Sequence, residues 1–160
     1  MKSKKDFLKL FLFIIFSHIS IYAQEKVWTS SSQPLQEMEE IRKLIKAPVF
    51  KDAEYNVADY GAVGDGLKKN TEAFKKAIEA CSKAGGGKVI VPEGKFLTGP
   101  IYLKSNVNLH LKDKAIIVFS RDTKDYPIVL SRWEGMDCMN YSPQIYAYNE
   151  TNIAITGTGT

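Results

Sequence analysis

A run of three glycines, Gly85-Gly86-Gly87, divides the chain into two parts with different hydrophobic periods. Before it, apolar residues recur at i, i+3, i+4 and i+7, which is typical of a helix with one buried stripe: Phe74, Ala77, Ile78 and Cys81. Asn70 can act as the N-cap, and Glu72 lies in the first turn, where the helix dipole favours a negative charge. A glycine of the run can adopt the left-handed conformation that ends a helix. The sequence therefore predicts a helix between Asn70 and the glycines.

After the glycines the period is two, and every apolar run is short. Val107, Leu109 and Leu111 alternate with Asn108 and His110, as in a strand with one buried face. The predicted strands are Lys88–Val91, Phe96–Leu97, Ile101–Leu103, Val107–Leu111 and Ala115–Phe119. No crossover helix of a dozen residues fits between them, so a doubly wound α/β sheet is disfavoured. The pattern predicts an all-β fold and leaves a sandwich, a barrel and a solenoid open.

An internal repeat indicates the solenoid. Ser105–Leu109 and Thr151–Ile155 each place an Asn before alternating apolar residues, 46 positions apart. Repeats of roughly 20–50 residues are typical of solenoids and propellers. A spacing of 46 residues would span two coils of a right-handed parallel β-helix, where each strand pairs with its equivalent one turn away. Asn residues at equivalent turns would then hydrogen-bond to each other as a ladder.

The N-terminus has the pattern of an export signal. Lys2, Lys4, Lys5 and Lys9 precede an apolar stretch that ends at Ala23, a small residue suited to signal-peptidase cleavage. The stretch is shorter than the roughly 20 residues that a membrane-spanning helix needs. We therefore expect a secreted or periplasmic protein, cleaved after Ala23, without stable membrane insertion.

Removing this leader also changes the charge. The whole chain has 22 Lys and Arg against 18 Asp and Glu, and the leader holds four of the lysines and Asp6. The remaining 18 basic and 17 acidic residues give a net charge of +1. Nothing in that balance indicates a nucleic-acid partner.

Two regions follow the leader. Residues 24–54 comprise a polar, Ser-rich linker and a short amphipathic helix marked by Leu35, Met38, Ile41 and Ile45. Ala47-Pro48 ends that helical pattern. Residues 55–160 form the folded domain.

The family resemblance begins at Tyr55. Tyr-Asn-Val-Ala-Asp-Tyr-Gly-Ala-Val-Gly-Asp-Gly66, followed by Asn70-Thr-Glu-Ala-Phe74, resembles the opening of the pectate-lyase-like β-helix superfamily. Later segments are similar to bacterial members of glycoside hydrolase family 28, the polygalacturonases and their rhamnogalacturonan-cleaving relatives: Gly86–Gly94, Thr98–Leu111, Asp125–Pro127, Arg132–Gly135, Asn140–Pro143 and Ile145–Gly157. The resemblance implies an all-β solenoid, a right-handed parallel β-helix of which this chain holds the first coils, with the α-helix capping its end.

The resemblance also implies a reaction: inverting hydrolysis of α-glycosidic bonds, in which one carboxylic acid protonates the leaving oxygen and a carboxylate base activates water. We expect a pectic polysaccharide or oligogalacturonide as substrate, a monomer, no cofactor and no metal. The family's catalytic elements are Asn-Thr-Asp, Asp-Asp, His-Gly and Arg-Ile-Lys, and none occurs in these 160 residues. Asn70-Thr71-Glu72 only resembles the first, because its acid is Glu and it begins the capping helix.

No catalytic residue is therefore assigned, and two further expectations follow. The chain is expected to be the N-terminal part of a longer enzyme and to be inactive by itself. The alternatives are a non-catalytic, carbohydrate-binding β-helix module, and a β-helix lyase or epimerase.

Arg132-Trp133-Glu134 is the candidate substrate-binding constellation. A Trp face can stack on a sugar, Arg can bind a uronate carboxylate with two hydrogen bonds, and Glu134 could orient Arg132. The alternative is a loop whose Trp packs on the solenoid, with Arg132 and Glu134 as a surface ion pair.

The remaining polar and cysteine residues are predicted to be structural. By strand alternation His110 points away from the core, and Asp59, Asp65 and Asp113 lie among turn or strand-edge residues, where local hydrogen bonds favour Asp. Gly61, Gly64 and Gly66 are interpreted as turn glycines rather than a dinucleotide motif. Cys81 is expected to be a buried free thiol, and its pairing with Cys138 is left open.

Overall fold

The computed structural model describes residues 33–160, which form two units that divide between Ala47 and Pro48. The predicted signal peptide, its cleavage after Ala23 and the linker up to residue 32 lie outside the described residues. None of the helices within the described range is long and apolar enough to cross a membrane.

The first unit contains the predicted amphipathic helix, α1, Gln33–Leu44. Its apolar residues Leu35, Met38 and Ile41 are exposed. Arg42 and Lys43 pair with the glutamates three positions before them, which adds a little helix stability.

The second unit is a parallel β-helix, so the all-β solenoid prediction is confirmed. Three parallel sheets form its faces, with strand orders β1-β3-β6-β11, β2-β4-β7 and β5-β10, and an antiparallel pair β8-β9 projects from the last coil. The strands are β1 Glu54–Asn56, β2 Asp65–Lys69, β3 Gly87–Val91, β4 Gly94–Thr98, β5 Ile101–Tyr102, β6 Val107–Leu111, β7 Ala115–Phe119, β8 Ile128–Trp133, β9 Met136–Tyr141, β10 Ile145–Tyr146 and β11 Ala154–Gly157.

The coils differ in length because they carry different insertions. The middle coil is short: it runs only from Val89 to its partner Leu109. The first coil is longer because it contains the capping helix. The third runs from Leu109 to its partner Ile155, 46 residues later, because it contains β8 and β9. The repeat found in the sequence is therefore real, but the prediction that it spans two coils is wrong: it is one enlarged coil.

The predicted asparagine ladder is confirmed at the turn before β6 and β11. Asn152 Nδ2 donates to Asn106 Oδ1 at 2.9 Å. Both residues have a positive φ, 65° for Asn106 and 54° for Asn152, a conformation that Asn tolerates better than most residues. Asn152 also exchanges two hydrogen bonds with the backbone of Val49, at 3.1 and 2.8 Å. The ladder therefore joins two coils and the segment that leads into the domain.

The capping helix, α2, Thr71–Lys83, buries the predicted stripe. Phe74, Ala77, Ile78 and Cys81 are all at most 1% exposed, and the Phe74 ring meets Phe96 edge to face at 6.4 Å. The glycines end the helix as predicted: Gly86 N–H donates to Cys81 O and Gly85 N–H to Ser82 O, both at 2.9 Å. This is the hydrogen-bond pattern of a Schellman motif. The helix thus covers apolar core that the first coil would otherwise expose.

Asn70 occupies the predicted N-cap position but does not cap the helix with its side chain. The side chain is buried, 2% exposed, and points back into the preceding loop. Its Oδ1 accepts from Val63 N–H at 2.8 Å, and its Nδ2 lies 2.9–3.2 Å from the carbonyl oxygens of Val63, Lys68 and Leu97. The capping prediction is wrong because the side-chain amide is already bonded to four backbone groups, those of Val63, Lys68 on β2 and Leu97 on β4.

Candidate functional site

The hairpin β8–β9 carries the predicted candidate residues. Arg132 and Trp133 end β8, and Glu134-Gly135 form its two-residue turn with φ values of 48° and 87°. Two positive φ angles are typical of a type I′ turn, which suits the twist of a hairpin. Trp133 is 62% exposed and lies opposite Met136. The tip of the hairpin therefore presents an uncovered indole ring.

The structure separates the three candidate residues. Successive side chains of a strand point to opposite faces, so Arg132 and Trp133 lie on different faces of the hairpin. Arg132 lies opposite Asp137, and its Nη2 donates to Gly135 O at 3.1 Å. Among residues 33–160, Arg132 and Glu134 form no ion pair. The expectation that Glu134 orients Arg132 is therefore wrong.

Hydrogen bonds close the base of the hairpin and attach it to the solenoid. Ser142 N–H donates to Pro127 O at 2.8 Å, which joins the two ends of the hairpin. Tyr146 Oη, on β10, donates to Leu130 O on β8 at 2.8 Å. The Tyr146 ring in turn contacts Tyr102 edge to face, with centroids 5.7 Å apart. These contacts hold the hairpin at a defined place beside β5 and β10.

A cavity of about 430 Å³ lies beside this base. We call it the Arg121 cavity; its lining consists of Phe119, Ser120, Arg121, Thr123, Tyr126, Tyr141, Ser142, Pro143 and Gln144. Arg121 is the one charged residue in that lining, and Tyr141 is 58% exposed. The cavity joins the end of β7 to the end of β9.

Two further cavities have acidic linings. One, of about 500 Å³, lies against α2 and contains three carboxylates and two lysines: Glu72, Glu79, Asp125, Lys75 and Lys104. The other, of about 430 Å³, lies at the end of β6 and contains Glu93 and Asp113 with Lys112 and His110. Within the described part of the chain, no three His, Cys, Asp or Glu side chains are grouped to hold a metal ion.

Two carboxylates near these cavities form charge-assisted contacts. Asp125 pairs with Lys69 at 2.7 Å, and this bond with a further one from Ser120 lowers the pKa of Asp125. Glu150 accepts from Ser105 Oγ at 2.6 Å and Ser105 N–H at 2.7 Å, and its other oxygen lies 3.1 Å from Lys104 Nζ. The hydrogen bonds from Ser105 and Lys104 lower the pKa of Glu150.

The other predicted structural residues have local partners. Asp65 accepts from the N–H groups of Leu67 and Lys68 at 2.8 and 2.9 Å, so its predicted turn role is confirmed. His110 lies on the outer side of β6, as predicted, and its Nδ1 is 2.8 Å from Thr156 Oγ1 on β11. Both cysteines are free, and burial raises the pKa of the Cys81 thiol to about 11.

No pattern in the sequence predicts the Arg121 cavity. Its lining comes from two segments, 119–126 and 141–144, that only the return of the enlarged coil brings together. No periodicity links them, and Ser120-Arg121-Asp122 has the composition of an ordinary polar turn.

Comparisons with known proteins match this architecture. Residues 55–110 match the family described as rhamnogalacturonase A/epimerase, pectate lyase-like. A probable polygalacturonase of Vitis vinifera is 36% identical over 110 residues, 64% of this chain and 22% of the relative.

Two solved structures extend the match. The hyperthermoactive exopolygalacturonase of Thermotoga maritima is 52% identical, with a TM-score of 0.72 over 76% of this chain and 27% of that one. The family 28 exopolygalacturonase of Yersinia enterocolitica is 32% identical, with a TM-score of 0.60 over 67% of this chain and 20% of that one. The chain thus spans about a quarter of the length of these proteins, or less.

Proposed function

We propose that the protein hydrolyses α-glycosidic bonds in pectic polysaccharide. The proposal rests on the fold, because this chain forms capped coils of a right-handed, polygalacturonase-type β-helix similar to glycoside hydrolase family 28. The observation that carries the proposal is the 52% identity and TM-score of 0.72 to the Thermotoga exopolygalacturonase. The substrate would be polygalacturonate or rhamnogalacturonan, and the reaction would invert the anomeric centre. Inversion needs two carboxyl groups far enough apart, roughly 6.5–9.5 Å, to place a water between them.

Catalysis is not assigned to any residue of these 160. The sequence elements that carry it in the family do not occur among them. We accordingly expect the 160-residue chain by itself to release no reducing ends from polygalacturonate.

Substrate contact is proposed at the hairpin tip. Trp133 offers an exposed indole on which the C–H face of a pyranose can stack. Arg132, on the opposite face of the hairpin, would contact a different part of the polymer from Trp133. We propose that Glu134 forms part of the turn and does not contact the sugar, because its φ of 48° places it in the type I′ conformation.

Release of reducing ends from polygalacturonate by the purified full-length protein tests the reaction. Activity is expected on polygalacturonate or rhamnogalacturonan and not on neutral galactan, and NMR of the first product should show the inverted anomer. Trp133→Ala should raise KM about tenfold or more, whereas Leu67→Ala, at an exposed site on β2, should not. An unsaturated product would indicate a lyase, and binding without any turnover would indicate a carbohydrate-binding module.

Export is proposed on the basis of the leader alone. Fractionation of the producing cells should find the protein outside the cytoplasm, and N-terminal sequencing should begin at Gln24. A cytoplasmic protein that retains Met1 would refute this.

A further inference from the structure

Of the three cavities described above, the Arg121 cavity is the one whose lining has a net positive charge. Its lining contains a guanidinium and no carboxylate, whereas acidic residues outnumber lysines in the other two. An anion entering either of those would meet like charges, which oppose binding. The charge distribution therefore selects the Arg121 cavity for an acidic ligand.

The guanidinium of Arg121 is available for a ligand. Within residues 33–160 no Asp or Glu pairs with it. The two nearest acids in sequence have other partners: Asp122 Oδ1 accepts from Lys124 N–H at 3.0 Å, and Asp125 pairs with Lys69. Arginine presents its donors in a planar fork that matches a carboxylate with two parallel hydrogen bonds.

The loop that carries Arg121 is held in place before any ligand binds. Asp122 N–H donates to Ser120 Oγ at 3.2 Å, and Tyr126 Oη donates to Ser120 O at 2.7 Å. On the strand side, Ser120 N–H donates to Thr98 O at 2.7 Å. A loop fixed by such bonds loses little conformational entropy on binding, which favours affinity.

The rest of the lining suits a sugar. Tyr141 provides an exposed aromatic ring for a pyranose face, and Gln144 and Thr123 provide polar side chains for hydroxyl groups. A volume of about 430 Å³ lies within the range of small-molecule sites, roughly 300–1,000 Å³.

We infer that the Arg121 cavity binds a carboxylate-bearing pyranose, a uronate unit of the acidic polysaccharide, through Arg121 and Tyr141. This subsite is separate from the proposed Trp133 contact at the hairpin tip. The choice of a uronate rests on the proposed function, whereas the preference for an acidic sugar rests on the cavity itself.

Calorimetric titration of the full-length protein with trigalacturonate at low salt tests the inference, with neutral galactotriose as the comparison ligand. Wild type should bind trigalacturonate and not galactotriose. Arg121→Gln should weaken binding about ten- to a hundredfold, because it removes hydrogen bonds between charged groups. Arg121→Lys should lie between the two, since a lysine keeps the charge but not the fork.

Tyr141→Ala should also weaken binding, and Arg42→Gln on α1 is the matched control that should not. Circular dichroism of each variant establishes that it is folded. Unchanged affinity in folded Arg121→Gln, or no uronate binding by wild type, would overturn the inference.

Hydrolysis of polygalacturonate, measured on the same samples, separates this inference from the proposed function. Arg121-dependent binding without hydrolysis would support the subsite and refute the enzyme. Hydrolysis of polygalacturonate, together with unchanged trigalacturonate affinity in Arg121→Gln, would support the enzyme and refute the subsite.

Discussion

Replacing Asn70 by Asp should destabilise the protein more than replacing it by Ala, although Asp has nearly the same shape as Asn. The side chain is 2% exposed and its Nδ2 faces three carbonyl oxygens, those of Val63, Lys68 and Leu97. An aspartate would place a carboxylate oxygen at that position. It would therefore remove the donors and add repulsion in a site that water does not reach.

The size of each effect follows from the hydrogen bonds. Asn70→Ala removes a side chain with four contacts at 2.8–3.2 Å and deprives the backbone groups of Val63 and Lys68 of this partner. Nδ2 has two hydrogens for its three carbonyl contacts, so the side chain makes three hydrogen bonds at a time. At about 1 kcal/mol for each neutral hydrogen bond, the loss in unfolding free energy is about 3 kcal/mol. Asn70→Asp should cost about 1–3 kcal/mol more at neutral pH, because a buried charge lacks a counterion.

The pH dependence provides a second test of the same reasoning. Since the folded state disfavours the anion, the folded-state pKa of the introduced carboxyl group should lie above its unfolded value of about 3.9. When the folded-state pKa of an acid is raised, the protein is most stable at pH values below the unfolded pKa, where the group is protonated in both states. The unfolding free energy then decreases as the pH rises through the folded pKa. The deficit of Asn70→Asp relative to wild type should therefore shrink as the pH falls towards about 4 and below.

Denaturant unfolding, followed by far-UV circular dichroism at pH 7 and at about pH 3.5, measures both effects. Wild type at each pH serves as the reference, so the titration of other groups cancels. Equal midpoints for Asn70→Asp and Asn70→Ala at pH 7, or a deficit of Asn70→Asp that grows on acidification, would refute the assigned geometry.

Three further predictions use the same unfolding assay or thiol chemistry. Gly157→Ala should lower the unfolding free energy by more than about 2 kcal/mol, because φ is +110° and a Cβ would collide with the backbone of Leu111. Gly61→Ala is the control: φ is +94° but the space is open, so the cost should be only about 1 kcal/mol. Equal costs for the two variants would contradict the collision. Glu150→Gln should lower the unfolding midpoint at pH 7. The folded-state pKa of Glu150 in wild type is depressed below the ordinary 4.5, so the difference in unfolding midpoint between Glu150→Gln and wild type should decrease as the pH drops below about 4.5. A difference that does not depend on pH would contradict the contact. Iodoacetamide at about pH 8 should label the partly exposed Cys138 and spare Cys81, whose pKa is raised by burial to about 11; equal labelling of native protein would contradict that burial.

Local patterns in the sequence determined the helix and the inner strands. The stripe from Phe74 to Cys81 and the following glycines specified α2 and its Schellman end, because both are set by interactions within a few residues. Val107–Leu111 and Ala115–Phe119 have the predicted bounds, since each strand alternates or concentrates its apolar side chains within five residues. The family resemblance then distinguished a β-helix from a sandwich, which periodicity alone did not.

Only the tertiary structure decided which segments pair across coils and what lies between them. Asp65–Lys69 is mostly charged and was not predicted as a strand; it is one because it pairs with β4. The 46-residue spacing identified β6 and β11 as equivalent strands but not as direct neighbours, because an inserted hairpin and an extra coil lengthen a sequence equally. The burial of Asn70 depends on Leu97 of β4, and the shared cavity of Arg121 and Tyr141 depends on the return of the enlarged coil. Hydrophobic period reports which face of an element is buried, and not which distant element buries it.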